Sequence, residues 1–168
     1  YCYARNTHPY WGYGAGLDFE RVILVKKNAP ELLRAELNKK SWKPDSIMLS
    51  GNTDCYQPIE RKLEITRDLL KILLEFKNPV GIITKNSLIL RDIDIIAEMA
   101  RLQLVTAIIS ITTANESLRR KMEPRTSTYK KRLETVEALS AQGIPVLVNI
   151  APIIPGLTDI EILKLAKA

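Results

Sequence analysis

Four times along this chain a short apolar run stops in a polar cluster, and a segment with helical spacing follows. Residues 47–49 lead into Ser50-Gly51-Asn52-Thr53-Asp54, and 80–83 lead into Thr84-Lys85-Asn86. Residues 106–111 carry Ser110 and end in Thr112-Thr113, while 145–150 carry Asn149 and end in Ala151-Pro152. Strand runs that are almost wholly apolar suit a parallel sheet with both faces covered, and the strand–helix alternation predicts an α/β fold. In such folds the carboxyl ends of successive strands line one rim, where sites form. Ser50, Asn52, Thr53, Asp54, Lys85, Asn86, Ser110, Thr112 and Asn149 are therefore expected on that rim. For any one of them alone, helix capping and chain turning are the simpler reading; four clusters at the same end of successive strands favour a site.

The segments between the clusters complete the pattern. Residues 6–20 are rich in glycine and aromatics without a period, which predicts a loop, and the β-branched run 22–25 predicts a strand. Asn28 with Glu31 three residues on predicts a capped helix start, with Leu33 and Leu37 on its apolar stripe. Pro58 opens a long helix carrying Ile59, Leu63, Leu70, Leu73 and Leu74 as far as Phe76, and Asn78-Pro79 breaks it. Ile89, Ile93, Ile96 and Met99 mark the next helix. A short basic helix follows the third strand, and a helix carrying Leu133, Val136 and Leu139 stops at Gly143. A last helix begins near Asp159.

A chain of 168 residues can bury one sizeable core, so a single domain over 1–168 is expected. No apolar run reaches the length of a membrane span, and the start carries no signal-peptide pattern, so the expected location is cytoplasmic. Two cysteines, Cys2 and Cys55, cannot build a disulfide framework. The net charge of +6 suits an anionic partner such as nucleic acid, or a solvated surface. There is no phosphate-binding glycine pattern and no Ser/His/Asp set. His8 is the only histidine, and its place among glycines and aromatics predicts a loop hydrogen bond rather than metal ligation. The start, Tyr1-Cys2-Tyr3-Ala4-Arg5, sets a cysteine between two tyrosines with no initiator methionine. It reads as the end of a longer cysteine-rich loop in a chain cut at both ends, which predicts a loosely held start and part of a barrel or open sheet.

YCYAR, followed by HPYWGYGAGLDFE, resembles the end of the cysteine motif of radical S-adenosylmethionine (radical SAM) enzymes, in which C-x3-C-x2-C holds a [4Fe-4S] cluster. Tyr1 and Cys2 match the aromatic residue and the third cysteine. LSGNTDCYQPIERK, GIITKN, ISITT, MEPRTS and APIIPGLTD are similar, in order, to the branch related to spore photoproduct lyase and often labelled DNA-repair-photolyase-like. The resemblance implies a partial parallel (βα)6 TIM-like barrel, truncated at both ends, that forms the core domain of a longer chain. It implies Cys2 as a cluster ligand, since a thiolate suits iron. Ser50, Gly51, Asn52, Thr53 and Asp54 would stand in the place of the family's GGE motif and accept from the methionine amino group, although SGNTD replaces the glycines and glutamate of many members. Lys85 and Ser110 would meet the methionine carboxylate and the ribose, with Thr112 on the same rim and Arg125 as a second cation. Asn149, with the backbone of Ala151, Pro152 and Ile153, would hold ribose and adenine. An anion and a cation on facing strand ends, Asp54 and Lys85, would suit a zwitterion; the alternative is a salt bridge between the two.

The implied activity is reductive cleavage of SAM to a 5′-deoxyadenosyl radical, lyase-like, with an external one-electron reductant, a monomeric protein, and a substrate left open, nucleic acid among the candidates. Cys55 beside Asp54 would be either a hydrogen-atom donor in catalysis or a small half-buried thiol. Two other readings stay open: a basic nucleic-acid-binding barrel without chemistry, and a barrel lyase using Lys85 as a Schiff-base amine.

Overall fold

The computed structural model describes residues 2–168. The expected aromatic neighbour Tyr1 lies outside the described residues. Four strands, β1 (Ile47–Leu49), β2 (Val80–Thr84), β3 (Val105–Ser110) and β4 (Val146–Asn149), lie side by side in chain order, every pair parallel. Parallel neighbours in sequential order, each joined through helical segments, make the wall of an α/β barrel. Here the wall is an open sheet with β1 and β4 as its edges.

Strand alternation decides which face is which. Val80, Ile82, Val105, Ala107 and Ile109 point to one face and are buried with residues of α4 (Ile65–Glu75), α5 (Ile93–Arg101) and α7 (Tyr129–Ala141), chiefly Leu70, Leu73, Ile96, Met99 and Leu139. Each such aliphatic side chain contributes about 1.5–3 kcal/mol when fully buried. The alternate residues Met48, Ile83, Thr106, Ile108 and Leu147 form the concave face and stay at least partly exposed. Gly81 on that face lets Met48 cross over β2, for a Cβ there would stand 2.5 Å from Met48 Cε.

Three expectations are corrected. The run 22–25 is no strand: Val22 is extended (φ −100°, ψ 117°), but its carbonyl meets His8 Nε2 at 3.1 Å instead of a neighbouring strand. β-Branched residues favour extended backbone, and pairing needs a partner edge that this segment does not meet. Residues 6–20 are not a plain loop. A 3-10 helix, Tyr3–Trp11, ends where Gly12 takes φ +81°, and α1 (Leu17–Arg21) follows. The helix expected from 58 to 76 is two, α3 (Glu60–Leu63) and α4, parted at Glu64 with φ +51°. The break is stabilised because the Glu60 carboxylate accepts from the free Thr66 N–H in the first turn of α4 at 2.8 Å.

Elsewhere the elements stand where expected, except that the helix marked from Ile89 opens as a 3-10 turn, Ser87–Asp92, before α5. α2 (Ala29–Leu37) starts after Asn28, whose side chain makes no capping bond. α6 (Glu116–Met122) is capped by Asn115, which accepts from Ser117 N and Leu118 N. Gly143 follows α7 with φ +70°. A 3-10 turn, Asp159–Glu161, leads into α8 (Ile162–Ala166). No helix among the described residues is long and apolar enough to cross a membrane.

Candidate active site

A cleft of ≈ 540 Å³ opens over the carboxyl ends of the strands. One wall is built by residues at or just beyond each strand end: Ser50, Asn52, Thr53 and Asp54 after β1, Lys85 after β2, Ser110 of β3 and Asn149 of β4. The facing wall is Cys2, Tyr3, Trp11 and Phe19 with residues 22–24, which is where the unpaired extended run finds its place. The volume lies within the roughly 300–1,000 Å³ of small-molecule sites.

The two walls are tied together, so the start is not loosely held. Ala4 is fully buried, the Tyr3 hydroxyl donates to the Gly51 carbonyl, and Asn52 Nδ2 lies 3.2 Å from Thr7 Oγ1. His8 is buried against Phe19 and bonds the backbone of Val22, as its position suggested.

Asp54 is held as a structural anchor. Its carboxylate accepts from the Thr84 hydroxyl at 2.8 Å, from Lys85 N at 2.8 Å and from Tyr56 N at 2.9 Å. The expected Asp54–Lys85 pair is thus a contact to the Lys85 backbone. The Lys85 ammonium reaches Glu123 Oε1 at 2.6 Å, and the other oxygen of Glu123 meets Arg132 at 2.8 Å. Arg132 is 2% exposed and also donates to Ser110 O at 2.7 Å, so it fixes the end of β3 from below. A Schiff-base lysine must present its Nζ to a carbonyl carbon, whereas that of Lys85 is engaged in the ion pair with Glu123, which disfavours the imine reading.

The remaining expected residues lie outside the cleft wall. Cys55 packs against the core, its N–H donating to Ser50 Oγ at 2.7 Å. Burial, and then the charge of Asp54, push its thiol up to about 12. The Thr112 hydroxyl sits between Glu123 Oε1 (2.7 Å) and Ala151 O (3.0 Å). Arg125 donates to Glu20 O at 2.7 Å, away from the strand ends. Pro152 O accepts from Thr158, and Ile153 is half exposed on the outer side of that turn. Glu123 and Arg132 were missed in the sequence. The available signal was an arginine three residues before Thr135 and seven before Leu139, a charged residue on the buried stripe of α7.

A cleft at the carboxyl ends of a parallel barrel wall, with a cysteine on its facing side, defines a class of α/β enzyme scaffold. The model of the radical SAM superfamily matches residues 1–168, and the chain belongs to that superfamily. It is 36% identical over 159 residues to an uncharacterized protein of Mycobacterium tuberculosis, covering 95% of this chain and 47% of that protein. To an uncharacterized protein of Methanocaldococcus jannaschii it is 30% identical over 161 residues, covering 96% and 58%. The chain spans about half the length of the curated relatives it matches. Among solved structures it is similar in fold to spore photoproduct lyase complexed with dinucleoside spore photoproduct, at TM-score 0.64 and 16% identity over 92% of this chain and 42% of that one. A variant of that lyase with bound AdoMet and dinucleoside spore photoproduct gives TM-score 0.67 at 16% identity over 99% and 47%.

Proposed function

We propose that the cleft is the SAM site of a radical SAM enzyme, with Cys2 as one of the thiolate ligands of a [4Fe-4S] cluster. The observation that carries this is the shared cleft: the Cys2 side and polar groups from all four strand ends line one cavity. The donor set fits, since a thiol suits iron and the opposite wall offers hydroxyl, amide and ammonium groups for a zwitterionic nucleoside. When bound, the reduced cluster supplies the electron that cleaves SAM to methionine and a 5′-deoxyadenosyl radical.

The chain's own residues bind and orient. Lys85 faces the methionine carboxylate, sharing its charge with Glu123, which keeps the ammonium in place beforehand. The 50–54 loop, pinned through Asp54 to Thr84 and Lys85, presents Ser50, Asn52 and Thr53 to the amino end. Ser110 and Asn149, 3.4 Å apart from Oγ to Nδ2, take the ribose hydroxyls. Thr112 and the turn 151–153 act behind Asn149 by fixing the backbone that borders the adenine. Phe19 and residues 22–24 close the cleft with apolar surface and exclude water. The protein works as a monomer with an external one-electron donor, and the DNA-repair branch gives the substrate its first candidate, a modified nucleic acid.

The test is anaerobic iron–sulfide reconstitution of the natural full-length protein, followed by SAM and reductant. Formation of 5′-deoxyadenosine is expected, and Lys85→Met is expected to raise the KM for SAM by roughly tenfold or more, the loss of a charge-assisted contact. Absence of deoxyadenosine from a cluster-loaded protein contradicts the proposal.

A further inference from the structure

α1 belongs to the wall that faces the strand ends, yet packing does not hold it there. None of its five residues is buried. Phe19 lines the cleft, while the next residue, Glu20, borders a second cavity of ≈ 570 Å³ together with Arg5, Met122, Ile154 and Leu157. A helix this short is marginal on its own, and one set between two cavities without a buried residue must be fixed by specific bonds.

Arg5 supplies most of those bonds. Its guanidinium donates to Ala15 O at 3.2 Å and to Gly16 O at 3.0 Å, where the chain enters α1, and it pairs with Glu20 near the far end. The same group lies over the Phe19 ring, 4.9 Å from its centroid. Phe19 in turn meets the His8 ring edge to face at 5.0 Å, and His8 bonds Val22 O. Arg5 itself stands in the first turn of the 3-10 helix, its N–H donating to Cys2 O at 3.3 Å. One side chain thus ties the turn that begins at Cys2 to both ends of α1 and to the ring that lines the cleft. Arg125, at Glu20 O, adds a single backbone contact.

These contacts bear on position more than on global stability. The Arg5 and Glu20 side chains are 34% and 43% exposed, so their ion pair adds little to the folding free energy. What they require is shape. A planar fork can reach two carbonyls and a carboxylate while stacking on a ring, and the compact ammonium of a lysine cannot.

We infer that Arg5 is a positioning residue of the cleft, which sets α1 so that Phe19 and the run 22–24 close over the ligand opposite the strand ends. It acts through Phe19 and touches no ligand itself. The inference rests on the reading of the cleft as the SAM site.

The test uses the natural full-length protein as wild type, Arg5→Lys, Arg5→Gln, Phe19→Leu and the double variant Arg5→Lys with Phe19→Leu. Thermal melting is expected to shift little, because Arg5 lies outside the core. In protein without cluster or SAM, tryptic cleavage after Arg21 is expected to be at least about tenfold faster in both Arg5 variants, since it needs the local opening that Arg5 opposes. SAM binding to the cluster-loaded protein, measured before reductant is added, is expected to weaken roughly tenfold in Arg5→Lys as in Arg5→Gln. Phe19→Leu is expected to weaken it as well, and the double variant to bind no more weakly than Arg5→Lys alone. Cleavage at the wild-type rate, SAM affinity unchanged or restored by lysine, or effects that add in the double variant would each overturn the inference; so would a melting loss as large as that of a core truncation, which makes Arg5 a residue of global stability. A cluster-loaded wild type that binds no SAM removes the reading of the cleft instead, and the tryptic rates then decide alone whether Arg5 holds α1.

Discussion

Cys55 and the Glu123–Arg132 pair carry the most testable chemistry at the scale of single residues. The Cys55 thiol is pushed from 9.0 to about 12 by burial and by the negative charge of Asp54. At pH 8 it is almost wholly protonated, so alkylation by iodoacetamide, followed by mass spectrometry, is expected to be at least about a hundredfold slower than for the unfolded chain. The linkage has a definite sign. Below pH 9 both states hold the proton; above it only the unfolded state loses it, so stability falls as pH rises from 9 toward 12. The contribution is about 1.4 kcal/mol by pH 10. Urea midpoints measured from pH 8 to pH 10 should fall, and less steeply in Cys55→Ala. The Tyr56 hydroxyl, raised by burial and by Asp92, adds to the same trend. Arg132 and Glu123 expose only 2% and 3% of their side chains. Arg132→Ala takes one of two cations from Glu123 and the donor from the Ser110 and Ser127 carbonyls in a dry site, so it is expected to cost about 2–4 kcal/mol in urea unfolding. A cost below about 1 kcal/mol would show that Lys85 and water compensate those groups without it.

The loop after β1 illustrates how an element is made by one side chain. Ser50 holds φ +72°, a left-handed conformation that favours glycine, yet its hydroxyl accepts from Cys55 N at 2.7 Å and closes the turn. Ser50→Ala keeps the strained backbone and deletes the acceptor, so it is expected to lose about 1–3 kcal/mol. Ser50→Gly deletes the same bond but relieves the strain, so it should lose less; the reverse order in thermal melting would contradict this account. The four strands were legible in the sequence because each is an almost wholly apolar run with a polar stop, whereas their registers come from the fold. The break at Glu64 was not, since Ile59, Leu63 and Leu70 keep helical spacing across it and only the hydrogen bond from Thr66 N to Glu60 reveals the junction. The run 22–25 has strand composition but lacks a partner edge, a property of the fold rather than of four residues. Asn78 read as a helix breaker; it also bonds Trp42 Nε1 and Asp45 O, tying the approach to β1 against the start of β2.

At the scale of the molecule, the superfamily membership rests on the whole chain, while the site is assembled from distant pieces. Ser50, Asn52, Thr53, Asp54, Lys85, Ser110 and Asn149 could be placed on one rim from their positions after strands, and they share one cleft with Cys2. What periodicity could not reveal was how those groups are engaged. Asp54 spends its carboxylate on Thr84, Lys85 N and Tyr56 N, and the ammonium of Lys85 turns to Glu123. Nor could it reveal that Arg125 lies against α1 while Trp11 enters the mouth. Such pairings depend on tertiary distances between residues far apart in the chain. In the proposed function Cys2 holds a cluster facing SAM across this cleft, and electron paramagnetic resonance of the reduced, reconstituted full-length protein probes that arrangement itself. An iron–sulfur signal that changes on adding SAM and disappears in Cys2→Ala is expected. A Cys2→Ala protein that keeps the same signal, or a signal indifferent to SAM, would contradict it.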